Sequence, residues 1–153
     1  MSECFYAIDY KFPKKLLLNE FNLSLKANLS KELKISGFWY VEASANVKLI
    51  AKEFLDFYCI PYEKTHVSFF LIEKNTNVPW HADADGSVCA INCMLSEKYT
   101  QLNFETESIY YDTALINVKK MHSLTPFEYD RIIFRITFRD PTATFGNVLK
   151  WLK

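Results

Sequence analysis

Two histidines and one aspartate are spaced so that they could share a metal ion. His81-Ala82-Asp83 is answered 41 residues later by His122, and Arg131 lies nine positions beyond that. Two imidazoles and a carboxylate can fill three adjacent positions of a divalent ion and leave the others open. Open positions are what an oxygen-activating Fe(II) centre needs. Arg131 begins a run, Arg131-Ile-Ile-Phe-Arg-Ile-Thr-Phe-Arg139, in which its guanidinium could clamp the carboxylate of a co-substrate. The triplet alone is a weak sign, and its weight comes from His122 and Arg131.

The elements that must position these groups are short strands. From residue 65 the chain turns β-branched and aromatic, with apolar and polar residues alternating. Strands are predicted at 65–73, 78–83, 87–95, 102–105, 108–111, 113–117 and 131–139, with a turn at 74–77 and another from 119 towards Pro126. In a strand, residues two apart share a face, so His81 and Asp83 point together and Trp80 points away, into the core. On the last strand Arg131, Ile133, Arg135, Thr137 and Arg139 share one face, and Ile132, Phe134, Ile136 and Phe138 the other. The arginine face is either solvent or a polar barrel interior. Arg131 could then be a surface residue paired with Asp130 or Glu128, whereas Arg139 is best read as exposed. Dense short strands of this kind indicate a sandwich or jelly roll.

Helical spacing is clearest at 46–58, where Val47, Ile50, Ala51, Phe54, Leu55 and Tyr58 form a stripe capped by Ser44 or Asn46 and ended by Pro61. A second helix is predicted at 146–152. Residues 12–42 mix leucines and lysines without a clear period and receive no assignment.

Composition narrows the function. The chain has 153 residues, 50% of them hydrophobic and 16% aromatic, ample for a core and too apolar for disorder. Eighteen basic residues balance eighteen acidic ones, without the basic surplus that phosphate-gripping chains carry, so nucleic acid is a poor candidate partner. Three glycines leave no phosphate-cradling loop. The start of the chain lacks a signal-peptide pattern, and no apolar run reaches membrane-span length. Cys4, Cys59, Cys89 and Cys93 form no C-x-x-C pair and are expected as small buried apolar residues, reduced in a cytoplasm. One domain is expected, residues 1–64 as a mixed helical support and 65–140 as a jelly-roll core.

The run Trp80-His-Ala-Asp83, the strand Val88-Cys-Ala-Ile-Asn-Cys-Met-Leu95, and His122-Ser-Leu-Thr-Pro-Phe-Glu-Tyr-Asp-Arg131 resemble the Fe(II)/2-oxoglutarate-dependent oxygenases. The interval from His122 to Arg131 is similar to that of the prolyl hydroxylases. The resemblance covers residues 65–140 and implies a double-stranded β-helix (jelly roll, cupin-like) with flanking helices. It implies His81, Asp83 and His122 as iron ligands and Arg131 as the residue for the distal carboxylate of 2-oxoglutarate. Arg135 matches the offset of a second arginine in the taurine dioxygenase branch, which makes it a candidate for substrate or co-substrate contact. Where prolyl hydroxylases carry a tyrosine for 2-oxoglutarate, this chain has Met94, and Asn92 is the polar residue on the same face. Tyr110, Tyr111 and Asn117 are expected near the pocket rim, whereas His66 has no partner pattern.

The implied activity is hydroxylation of a C–H bond on a small molecule or on a side chain of a partner protein, coupled to oxidative decarboxylation of 2-oxoglutarate. Two other readings stay open. One is a cupin-like metalloprotein, an isomerase or another dioxygenase, that does not use 2-oxoglutarate. The other is a non-catalytic jelly-roll binding protein. Edge strands and aromatic content permit a homodimer.

Overall fold

A computed structural model describes residues 2–99 and 101–153. Eleven strands and three helices are present among them. In chain order they are β1 (Phe5–Ala7), α1 (Lys14–Lys26), β2 (Ser30–Glu32), β3 (Phe38–Glu42), α2 (Ala45–Phe57), β4 (Thr65–Ile72) and β5 (Val78–His81). Then follow β6 (Cys89–Met94), β7 (Leu102–Phe104), β8 (Ser108–Ile109), β9 (Thr113–Ile116), β10 (His122–Leu124), β11 (Arg131–Phe138) and α3 (Phe145–Leu152). All strand pairs are antiparallel. They build a seven-stranded sheet, β1-β9-β6-β11-β4-β3-β2, and a four-stranded sheet, β5-β10-β7-β8. This is the mainly β, jelly-roll architecture anticipated from the sequence.

The larger sheet is apolar on both faces, and each face has its own core. Phe134, Ile136 and Phe138 of β11 point outward with Phe69, Ile91 and Leu115, where Leu17 and Phe21 of α1, Phe54 of α2 and Val148 of α3 cover them. The inner face, with Ile72, Met94, Ile116 and Ile133, packs against Val78, Leu102 and Phe104 of the smaller sheet. Period-2 alternation on β11 thus sends phenylalanines to the helices and arginines between the sheets. The interior reading of the arginine face holds: Arg131 and Arg135 are both buried.

Ser44 caps α2, its hydroxyl accepting from the Val47 amide, and Thr144 caps α3 likewise through the Asn147 amide. The unassigned segment 12–42 forms α1, β2 and β3. Its periodicity is blurred because only Leu17 of the triplet Leu16-Leu17-Leu18 is fully buried, while Leu16 and Leu23 face outward. No helix among the described residues is long and apolar enough to cross a membrane.

Three local expectations are corrected. Trp80 is 49% exposed, because β5 is an edge strand of the smaller sheet, whereas the helices pack chiefly against β3, β4 and β9 of the larger one. Cys59 is exposed and follows α2 with φ of 57°, at a helix end where glycine is the usual residue. Residues 122–124, expected as part of the approach to a turn around Pro126, form β10, an inner strand of the smaller sheet. The other three thiols are buried, and burial pushes Cys89 up to about 12 and Cys93 to about 11, so they stay protonated.

Gly37 sets the β2–β3 hairpin. Its φ is +83°, and an added Cβ would clash with the Thr76 hydroxyl. Its carbonyl accepts from the Glu73 amide. Gly37→Ala is expected to cost about 1–3 kcal/mol, from backbone strain before any clash is counted. Urea unfolding measures this, and an unchanged midpoint would mean that the hairpin adapts freely.

Candidate metal centre

β5 and β10 are neighbours, and their register sets His81 directly opposite His122. The two rings lie 4.4 Å apart between centroids. Each imidazole is oriented by its own backbone. His81 Nδ1 lies 2.8 Å from the Pro79 carbonyl oxygen, and His122 Nδ1 lies 2.7 Å from that of Lys120. A carbonyl can only accept, so each Nδ1 carries the proton and each Nε2 is the atom available to a metal. Such a second bond on the far nitrogen is the usual support of a metal-ligating histidine.

Asp83 completes the set, though not by strand pleating. β5 ends at His81, and Asp83 stands in the following loop. There its amide donates to the Val118 carbonyl at 2.9 Å. Asp83 Oδ1 lies 3.5 Å from His81 Nε2 and 3.4 Å from His122 Nε2. The three ligand atoms fall within 4.8 Å of one another. Burial alone would push the Asp83 carboxyl up. The hydrogen bonds to His122 and His81 and the Arg135 guanidinium outweigh burial and hold it well below the usual carboxylate range. The Asp83 hydrogen bond raises His81 against the opposing effect of burial. Two imidazole nitrogens and one ionised carboxylate suit a divalent ion such as Fe(II), so the donor set fits the group the sequence implied.

A cavity of about 390 Å3 opens beside these atoms. Its walls are mostly apolar, from Phe38, Phe70, Ile72, Leu102, Ile116 and Ile133, and its polar groups are few. Arg135 is one of them. Its Nη2 donates to Asp83 Oδ2 at 2.7 Å, its Nε donates to the Thr137 hydroxyl, and its guanidinium lies 5.1 Å from the Phe70 ring centroid. Asn92 is its register partner on β6. The Asn92 Nδ2 donates to the Tyr111 hydroxyl at 3.2 Å, a bond to a side chain rather than to backbone. Tyr111 and Asn92 both line the cavity.

Arg131 lies four residues up the same strand face and is 1% exposed. Its Nη1 donates to the Thr125 carbonyl at 3.2 Å and its Nη2 to the Thr76 carbonyl at 3.5 Å. Its burial overturns the surface reading, and the Asp130 carboxylate accepts from the Lys74 amide. Desolvation lowers its pKa, offset in part by Tyr111.

Of the rim candidates, Tyr111 is buried in the cavity wall, Tyr110 is 65% exposed, and Asn117 bonds to the Glu3 carbonyl. Tyr111 is the site residue that the sequence least revealed. It lies in the loop between β8 and β9, where strand parity does not separate it from Tyr110. His66 stacks on Tyr40 and bonds its hydroxyl at 2.9 Å; its register partner on β11 is Thr137, so it lies further along the same sheet face and is not one of the three candidate ligands. Arg139 is half-exposed and pairs with Asp85.

No protein-family model and no curated protein matches the chain. Solved structures do. A prolyl-4-hydroxylase from Pseudomonas putida is similar with a TM-score of 0.62 at 13% identity, over 88% of this chain and 90% of that one. A Trichoplax adhaerens prolyl hydroxylase, solved with a peptide fragment of the hypoxia inducible factor, gives 0.65 at 10% identity, over 91% and 84%. HygX from Streptomyces hygroscopicus, solved with nickel, 2-oxoglutarate and hygromycin B, gives 0.62 at 10% identity, over 92% and 83%. The chain thus has the fold of the prolyl-4-hydroxylase-like Fe(II)/2-oxoglutarate oxygenases.

Proposed function

We propose that this protein is an Fe(II)- and 2-oxoglutarate-dependent hydroxylase. The observation that carries the reading is the convergence of His81 Nε2, His122 Nε2 and an Asp83 oxygen at the edge of an apolar cavity, each imidazole locked by a backbone carbonyl. With iron and 2-oxoglutarate bound, the site would use O2 as the oxidant: one oxygen atom would go to 2-oxoglutarate, giving succinate and CO2, and the other would hydroxylate a C–H bond of the substrate. The chain's own contribution is orientation and dryness. His81, Asp83 and His122 would hold the metal through two imidazole nitrogens and one carboxylate oxygen, and co-substrate and O2 would take up its remaining coordination. Arg131 takes the distal carboxylate of 2-oxoglutarate. Its burial supports this role, because a guanidinium out of water binds an anion more strongly than an exposed one. The apolar walls exclude water that would compete for the metal. The substrate is a small molecule or a side chain of a partner; the similar structures hold one of each.

The test is release of succinate and CO2 from 2-oxoglutarate by the Fe(II)-loaded protein, with calorimetric binding of 2-oxoglutarate under anaerobic conditions. No binding and no turnover would sink the reading. Metal binding should also register in stability. At a hundredfold excess over its dissociation constant, an ion that binds only the folded chain adds about 2.7 kcal/mol. Mn(II) or Ni(II) should therefore raise Tm, and EDTA should reverse the rise. An unchanged Tm would argue against any metal at these three residues.

A further inference from the structure

We infer that Lys14, Asp112 and Tyr99 form an anchor outside the cavity that holds Tyr111 in its wall, and that this anchor sets the affinity for 2-oxoglutarate. The inference rests on the function proposed above and adds positioning residues to that same site.

Tyr111 needs something to hold it. It stands between β8 and β9, where residues 110–112 belong to no strand. Of two adjacent tyrosines, Tyr110 is exposed and Tyr111 is buried. Their residue type is the same, so their surroundings choose which ring enters. Asp112, the next residue, supplies the constraint. Its carbonyl accepts from the Met94 amide at 2.8 Å, at the end of β6. Its carboxylate accepts from Lys14 Nζ, from the Tyr99 hydroxyl and, at 3.2 Å, from the Thr113 hydroxyl. Burial pushes the Asp112 carboxyl up, and the bonds from Lys14 and Tyr99 outweigh burial and keep it ionised. With carbonyl and carboxylate both tied, residue 112 fixes the backbone that carries Tyr111.

The placement of Lys14 points the same way. It opens α1, and a cation in the first turn of a helix works against the helix dipole. No acidic residue in that turn offsets it. Its ammonium instead meets Asp112, 98 residues along the chain, and lies 5.5 Å from the Tyr99 ring centroid. The start of α1 is thereby joined to the loop that carries Tyr111. At the inner end, the Tyr111 hydroxyl accepts from Asn92 Nδ2, and Arg135 and Arg131 both act on it electrostatically. The ring belongs to the cavity wall beside these two guanidiniums. If it swung out, water would enter beside Arg131 and weaken the hold of that guanidinium on an anion.

Two measurements test the anchor. The first needs neither metal nor co-substrate. Protein labelled with fluorotyrosine is followed by fluorine NMR, with Tyr111→Phe identifying the Tyr111 resonance. In wild type a dissolved nitroxide should leave that resonance intact. In Lys14→Met and Asp112→Asn the nitroxide should bleach it, because the ring has become accessible. Lys14→Arg should keep it protected. Lys52→Met, which breaks the exposed pair with Asp56, should have no effect on it. The second measurement is calorimetric titration of Ni(II)-loaded protein with 2-oxoglutarate. Lys14→Met and Asp112→Asn should bind it about fivefold more weakly, the equivalent of about 1 kcal/mol, and Lys14→Arg should stay near wild type. Circular dichroism checks that each variant is folded, and Lys14→Met, a change on the surface, carries the test if Asp112→Asn is not. The inference is overturned if Tyr111 stays protected in folded Lys14→Met, or if it becomes accessible while 2-oxoglutarate binds as before. If wild type itself fails to bind 2-oxoglutarate, the proposed function falls and takes the affinity claim with it. A wild type that binds and a Tyr111 that stays protected sink the anchor alone.

Discussion

His122→Ala should lower turnover of 2-oxoglutarate by about a thousandfold or more and leave the protein with little bound metal. A metal centre supplies several kcal/mol of transition-state stabilisation, and each 1.36 kcal/mol is about tenfold in rate. His122 is the most buried of the three ligands and sits on a central strand between β5 and β7. No other imidazole among the described residues can replace it, because His66 is engaged with Tyr40. The fold should persist, since the strand's backbone pairing does not depend on the ring. The paired measurement is metal content by elemental analysis and succinate release. Full occupancy with normal turnover would remove His122 from the site. Asp83→Asn should weaken metal binding too, with a different secondary effect: Arg135 would lose its only carboxylate partner among the described residues.

The second large effect is expected at Arg131. Arg131→Met should weaken 2-oxoglutarate about a hundredfold, the worth of a desolvated, doubly hydrogen-bonded carboxylate contact of about 3 kcal/mol. Stability should change far less. Methionine leaves the Thr125 and Thr76 carbonyls without this donor, a loss of about 1–3 kcal/mol. It also removes a charge whose burial already depresses its pKa, which works in the opposite direction. Net stability should therefore stay within about 2 kcal/mol of wild type by denaturant unfolding. A variant that is folded, binds metal and has lost 2-oxoglutarate assigns the residue. A variant that keeps 2-oxoglutarate shifts the co-substrate role to Arg135.

Much of this architecture is legible along the chain because a strand's side-chain period is local. The alternation Ile-Phe-Ile-Phe against Arg-Ile-Arg-Thr needs only β11 itself to be read, and helix α2 announces itself by its stripe and its serine cap. Where two patterns overlap, the reading weakens. Residues 12–42 carry more leucine than their buried face requires, and α1 was hidden by that excess. Trp80 is exposed, not buried as its parity predicts, because burial depends on what covers a sheet, and the helices pack chiefly on the larger one.

For the candidate site, residue types by themselves narrow the chemistry: two imidazoles, one carboxylate and an arginine can make only a few kinds of centre. The tertiary structure decided how they meet. His81 faces His122 because β5 pairs with β10 across 41 residues of chain, a register no local pattern encodes. Asp83 reaches them from a loop tied to Val118, not from the strand face that parity predicted. Tyr111 enters the cavity while its neighbour Tyr110 faces solvent. The physical reason is the same in each case. Spacing along one strand follows from backbone geometry, whereas proximity between strands follows from which faces the two sheets bury against each other.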